Sequence, residues 1–319
     1  MLLREQDINR VMLCAPSKAC YSDQVRNPMT ATLLVVSCSL TATFARAEET
    51  NGRAEILDLV TTEQVRLLRL EDDGYHVAGE GSKPFALSVH KKMVAELAGD
   101  NARCTDILVS AQWQQDVLHQ TLNAAHFDNC AFEEGMDYVQ AQIREAHDQG
   151  RRYEGEASGR EAALEKGLQA IGRALHAVQD FYSHSNYLEL QDQNLARNTK
   201  LQDVPLPSFW SDAGRAEINQ LLKKKRLHSG TWPLPLKASK KCAKQTSHGE
   251  LAKDNADTKN GKRKVEHHSS WGMNLHEAAA ALALRASVSL VSTEMPAPFK
   301  TACGKSVGML LFVEGRPAQ

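Results

Sequence analysis

The chain has 319 residues, a formal net charge of −1, 42% hydrophobic and 6% aromatic residues. That is enough apolar material for one sizeable core or two small ones, and the balanced charge by itself names neither nucleic acid nor membrane as a partner. Ala, Leu, Gln, Glu and Lys dominate and β-branched runs are short, which favours helices.

The first predicted element is a targeting segment. "MTATLLVVSCSLTATFARAEE" carries an apolar run too short to span a bilayer, closed by Ala45-Arg46-Ala47, the small-x-small pattern of a signal peptidase site. Residues 1–47 are therefore expected to be an upstream segment plus signal peptide, with a mature chain from about Glu48 that is secreted or periplasmic. "VVSC" also fits a lipoprotein signal lipidated at Cys38, the alternative localisation, and Met29 is a second candidate start. No other stretch is long and apolar enough for a transmembrane helix. Past Ala47 remain Cys104, Cys130, Cys242 and Cys303, with no C-x-x-C pair. In an oxidising compartment they suit two disulfides, expected as Cys104–Cys130 and Cys242–Cys303 among three possible pairings.

Residues 48–319 read as a single α-helical domain. Helical spacing predicts helices over 85–99, 106–128, 132–154, 159–190, 214–226 and 271–294. The stretch 159–190 is the most periodic, with Leu164, Leu168, Ile171, Leu175 and Val178 as one apolar stripe. Between the last two lies a basic loop or insertion, 223–264, with thirteen Lys and Arg against Glu250, Asp254 and Asp257. It reads as a solvated linker or as a docking strip for anionic lipid or nucleic acid, with no metal ligand expected in it.

The chemistry concentrates in "ALHAVQDFYSHSNY", which sets His176, Asp180 and His184 at steps of four. Four residues is just over one helical turn, so imidazole, carboxylate and imidazole share a face, and these are preferred zinc ligands. Further candidates sit on other predicted helices: His90 in "FALSVHKK", Asp116 and His126 ten residues apart on an expected common face, and His276 in "GMNLHEAA". Helical bundles build metal sites from such inward side chains. Ser183, Ser185 and Asn186 read as supporting groups or helix-end caps rather than nucleophiles.

The run "LQAIGRALHAVQDFYSHSNYLEL" resembles the Het-C family through G-x-x-L-H-x-x-x-D-x-x-x-H-S-N, and "LAKDNAD" resembles a second element of that family. Het-C-like chains in turn resemble the zinc-dependent phospholipase C and single-strand nuclease superfamily. The resemblance covers about residues 85–293. It implies an all-α multi-helix bundle of the zinc-dependent phospholipase C type holding two or three zinc ions. His90, Asp116, His126, His176, Asp180, His184 and His276 would be the metal ligands, with Asp116 and Asp180 central to catalysis and Asp180 bridging two ions. It implies a secreted zinc phosphodiesterase that uses a metal-activated hydroxide on a phospholipid or other phosphodiester. The alternatives are a nuclease on the same metal core, or a non-catalytic Het-C-like interaction or toxicity module. Two departures stand out. Ala280 occupies the position of the superfamily's last carboxylate, and Glu48 lies far from His90, so His76 or a loop group would have to replace the N-terminal chelator.

Overall fold

A computed structural model describes residues 87–98, 101–155, 157–231, 242, 244 and 246–304. The expected signal peptide, Cys38, Glu48 and His76 lie outside the described residues. Among those described, the chain is mostly helical and has no strand, only isolated bridges such as Ser185 with Ser229 and Thr231 with Ser247. The all-α expectation holds at that level.

The helices are α1 (Leu87–Ala98), α2 (Ala102–Leu118), α3 (Asn123–His126), α4 (Phe132–Gly155), α5 (Arg160–His184), α6 (Tyr187–Asn194), α7 (Asp212–Lys223), α8 (His248–Leu251), α9 (Leu275–Glu294) and α10 (Ala297–Ala302). Helix α5 is the axis, packed against α4, α2 and α9. Its stripe from Leu164 to Val178 is buried, and from Ala174 to His184 every residue is buried. A helix covered on all sides must satisfy its polar side chains internally, and this one carries His176, Gln179, Asp180, Ser183 and His184 inside. Helix α9 can run beside it because its face is built from Ala278–Ala281, Ala283 and Ala286. Asn274 starts α9 with a capping box that uses Glu277.

Two predicted helices are divided. The 106–128 helix stops at Leu118, turns through His119–Leu122 and resumes as α3. Leu118 and Leu122 find nothing to bury against, whereas the turn sends Ala125, His126 and Phe127 into the core. Asp116 and His126 thus sit on separate helices rather than one face. The 159–190 helix ends at His184, where Ser185 adopts an extended conformation and its hydroxyl donates to the Phe181 carbonyl at 2.6 Å.

The disulfides are Cys104–Cys303 and Cys130–Cys242, correcting the expected pairing. Cys104 lies at the start of α2 and Cys130 beyond its far end. A 17-residue helix is roughly 25 Å long, well past the reach of a disulfide. The two bridges suggest an extracellular or otherwise oxidising environment. No described helix is long and apolar enough to cross a membrane.

Gly172 lets α2 and α5 approach. A Cβ there would stand 2.8 Å from the Leu108 carbonyl oxygen and 2.8 Å from Ala111 Cβ. This contact sets Asp116, on α2, beside His176, one turn after Gly172. Gly172→Leu is therefore expected to destabilise the fold by about 1–3 kcal/mol, an overpacking cost, read as a lower thermal midpoint. A midpoint equal to wild type would show that the helix contact yields freely.

Candidate metal centre

Asp180 is the hub. It is fully buried, and four imidazoles surround its two oxygens. Oδ1 lies 3.2 Å from His90 Nε2 and 3.9 Å from His184 Nε2. Oδ2 lies 2.8 Å from His126 Nδ1 and 3.0 Å from His176 Nε2. The same His176 nitrogen is 3.5 Å from Asp116 Oδ1, whose side chain is 8% exposed. Helices α1, α2, α3 and α5 each supply part of this group, so no one segment could assemble it.

A second group adjoins it. Asp128 Oδ1 is 3.0 Å from His248 Nδ1 and 3.5 Å from His184 Nδ1. Asp254 reaches His184 Nε2 at 3.2 Å and His248 Nε2 at 3.4 Å. Asp128 is aimed by strained backbone: Phe127, Asn129 and Cys130 all have φ between 53° and 56°, a left-handed region that costs non-glycine residues free energy. Gly230, where a Cβ would lie 2.6 Å from His248 Cα, lets the 228–231 segment pass against α8.

Neighbouring groups hold these side chains in register. Gln179 donates from its amide nitrogen to Ser287 Oγ at 3.0 Å, so its oxygen faces Gln112 and His90. His90 Nδ1 donates to that oxygen at 2.6 Å, which turns Nε2 toward Asp180. His184 Nδ1 lies 3.0 Å from the His126 carbonyl, turning its Nε2 toward the Asp180–Asp254 side. Ser183 Oγ donates to Asp254 Oδ1 at 2.5 Å. Lys253, fully buried, donates to the Ser185 carbonyl at 2.7 Å and fixes the Asp254 segment on the end of α5. Asn186 accepts from the His228 N–H and donates to the Arg226 carbonyl. Ser183 thus braces Asp254, and Asn186 ties the 226–228 backbone to the end of α5 rather than capping α6 with its side chain.

These groups could hold metal ions. One atom from each of His90, Asp116, His176 and Asp180 lies within 4.8 Å of the others, and so do atoms of Asp128, His184 and His248. Ligands 2.0–2.1 Å from a tetrahedral zinc sit roughly 3.3 Å apart, close to the spacings above. Both oxygens of Asp116, His126 Nε2, Asp180 Oδ1, His184 Nε2 and Asp254 Oδ2 are buried without a hydrogen bond. Asp180 Oδ1, His184 Nε2 and Asp254 Oδ2 are met only by the imidazole–carboxylate contacts above, and a buried polar atom with no partner at all costs about 1–3 kcal/mol.

Without metal, protons balance the carboxylates. Burial opposes ionisation of Asp180, but His176 and His184 beside it hold its carboxyl well below the usual range. Burial likewise opposes a charge on His126, yet Asp180 outweighs it and raises the imidazole to about 9. Asp128 and Asp254 raise His248 in the same way against its burial. His176 moves down, because burial dominates and His90 stands nearby.

Of the seven expected ligands, six converge on this site. His276 is buried with Nδ1 2.7 Å from the Lys253 carbonyl, behind Asp254. Glu277 is engaged in the α9 cap and Ala280 in the core. The residues missed were Asp128, His248 and Asp254. Asp128 lies two residues after His126 in "AHFDN"; His248 and Asp254 lie in "HGELAKD", inside the segment expected to carry no ligand. A surface depression of about 270 Å³ lined by Arg197, Glu266, His267, Ser269 and Ser270 contains none of these side chains.

The fold and site together define an all-α protein with two adjoining buried His/Asp groups able to hold metal. A family model described as the VWA7 N-terminal domain matches residues 99–295, and the chain belongs to that family. The match covers every side chain of both groups except His90. No curated protein and no solved structure matches the chain.

His126 gives a pH dependence. Its raised folded value, against 6.5 unfolded, stabilises the metal-free protein below about pH 6.5, and this contribution is lost as pH rises toward 9. Metal must displace that proton. Apparent zinc affinity is expected to fall by about tenfold for each proton displaced per pH unit between pH 8 and 6, with proton release visible by calorimetry in buffers of different ionisation enthalpy. Affinity independent of pH would exclude these imidazoles as ligands.

Proposed function

We propose that this chain is an exported zinc-dependent phosphodiester hydrolase of the phospholipase C type. The observation that carries the reading is Asp180, a buried carboxylate whose two oxygens meet imidazoles of both groups. Metal pairs that share a carboxylate recur in phosphoryl-transfer enzymes. The charge supports two ions: Asp116, Asp128, Asp180 and Asp254 match two divalent cations.

His90, Asp116, His126, His176 and Asp180 would hold one ion. His184 and His248 would hold another together with Asp254 on the Nε2 side of their rings, Asp128 meeting the same rings from the Nδ1 side, with Asp180 nearby and His276 bracing Asp254 through Lys253. When bound, zinc supplies a Lewis acid for the phosphoryl oxygens and acidifies water toward neutral pH. The residues of this chain orient the site. Gln179 sets the His90 ring, Ser183 sets Asp254, and Asp116, at 8% side-chain exposure against 0% for Asp180, is the carboxylate of its group nearest the surface.

The complete burial of His90, His176 and Asp180 favours a second reading, in which metal only braces the bundle. Structural zinc sites are closed, whereas catalytic ones keep an open position. Zinc-loaded protein is expected to contain two ions by mass spectrometry and to hydrolyse a chromogenic choline-phosphate diester. Asp180→Asn should lower turnover by at least about a hundredfold and reduce bound zinc. Zinc at full stoichiometry with no turnover of any diester would support the structural reading, and faster cleavage of single-stranded DNA would point to a nuclease.

A further inference from the structure

Among the described residues, the large hydrophobic side chains that stand out in solvent are Trp113 at 44% exposure, Val117 at 52%, Leu118 at 65% and Leu122 at 42%. They lie on the last turns of α2 and on the turn that follows. Between residues 107 and 127 the only carboxylate is Asp116, which is turned inward to His176. An exposed, uncharged patch in a chain with 24% charged residues needs a partner.

Position and charge select the partner. Asp116 lies on the turn between Trp113 and Val117, so the patch borders the metal centre. His90 and Asp116 both adjoin His176: the two rings are 4.5 Å apart, and the carboxylate is 3.5 Å from Nε2. The next residues of α1, exposed Lys91 and half-buried Lys92, are therefore level with this part of α2. Cations beside an uncharged apolar patch complement anionic headgroups over acyl chains, and tryptophan favours that boundary.

We propose that Trp113, Val117, Leu118 and Leu122 dock on a phospholipid bilayer and hold the Asp116 side of the metal centre against the headgroups. The inference rests on the phosphodiesterase reading for its purpose but not for its test. The basic stretch 223–264 is not needed: its 246–254 part is built into the site, while Lys223–Arg226 remain exposed.

The test is flotation of the full chain with phosphatidylcholine vesicles containing a minority of phosphatidylserine, alongside turnover of a small soluble diester. Trp113→Ser with Leu118→Ser changes exposed positions, so folding is preserved and checked by circular dichroism. The double variant is expected to lose vesicle binding by about tenfold or more, with soluble-diester turnover within about threefold of wild type. Lys91→Glu should weaken binding to these vesicles more than to pure phosphatidylcholine. Asp180→Asn should still float; zinc-loaded wild type that binds vesicles but turns over no diester would refute the enzyme reading and leave the docking surface standing. Equal flotation of wild type and double variant would overturn the proposal. So would a wild-type dimer that the double variant dissociates, which would make the patch a self-interface, or a collapse of soluble-diester turnover in the double variant.

Discussion

The structure depends on a buried carboxylate that cannot stay alone. Asp180 is fully buried, and an isolated charge there would cost several kcal/mol. Around it the fold gathers imidazoles from α1, α3 and both neighbouring turns of α5. Much of the rest follows from that need. Gly172 brings α2 close enough to set Asp116 against His176, and α9 is rich in alanine where it passes α5. The stretch of α5 that carries Asp180, from Ala174 to His184, is covered on all sides, so its neighbours contribute polar partners as well as apolar contact.

The second group shows how the irregular segments are recruited. Asp128 sits in a strained turn, and His248 and Asp254 sit in a stretch with little regular structure. The Cys130–Cys242 bridge joins these two regions close to the site. Lys253 buries its cation against the carbonyl at the end of α5 and Glu189, and thereby seats Asp254. Strain, a disulfide and a buried lysine together hold a loop in register where a helix would do so by repetition. Such an arrangement is coherent if the loop carries ligands.

The two disulfides also divide the work. Cys104–Cys303 fastens the end of the described chain to the start of α2, away from Asp180. Cys130–Cys242 lies two residues from Asp128 and six from His248. One bridge serves the bundle, the other the site.

The sequence alone determined the local features. The stripe from Leu164 to Val178 named the central helix, since burial on one side leaves a 3.6-residue period in any chain. The steps of four from His176 to His184 put three of the candidate ligands on one face, because helix geometry is local. His90, Asp116 and His126 were also legible as polar residues in otherwise apolar or helical runs. Tertiary structure decided the rest. Asp116 and His126 meet only because the chain turns at His119–Leu122, a break that hinges on which side chains find a core to enter. Asp128, His248 and Asp254 have no periodic spacing, so only folding brings them together across more than a hundred residues. The cysteine pairing depends on which ends of helices coincide in space, and four cysteines along a chain carry no record of that.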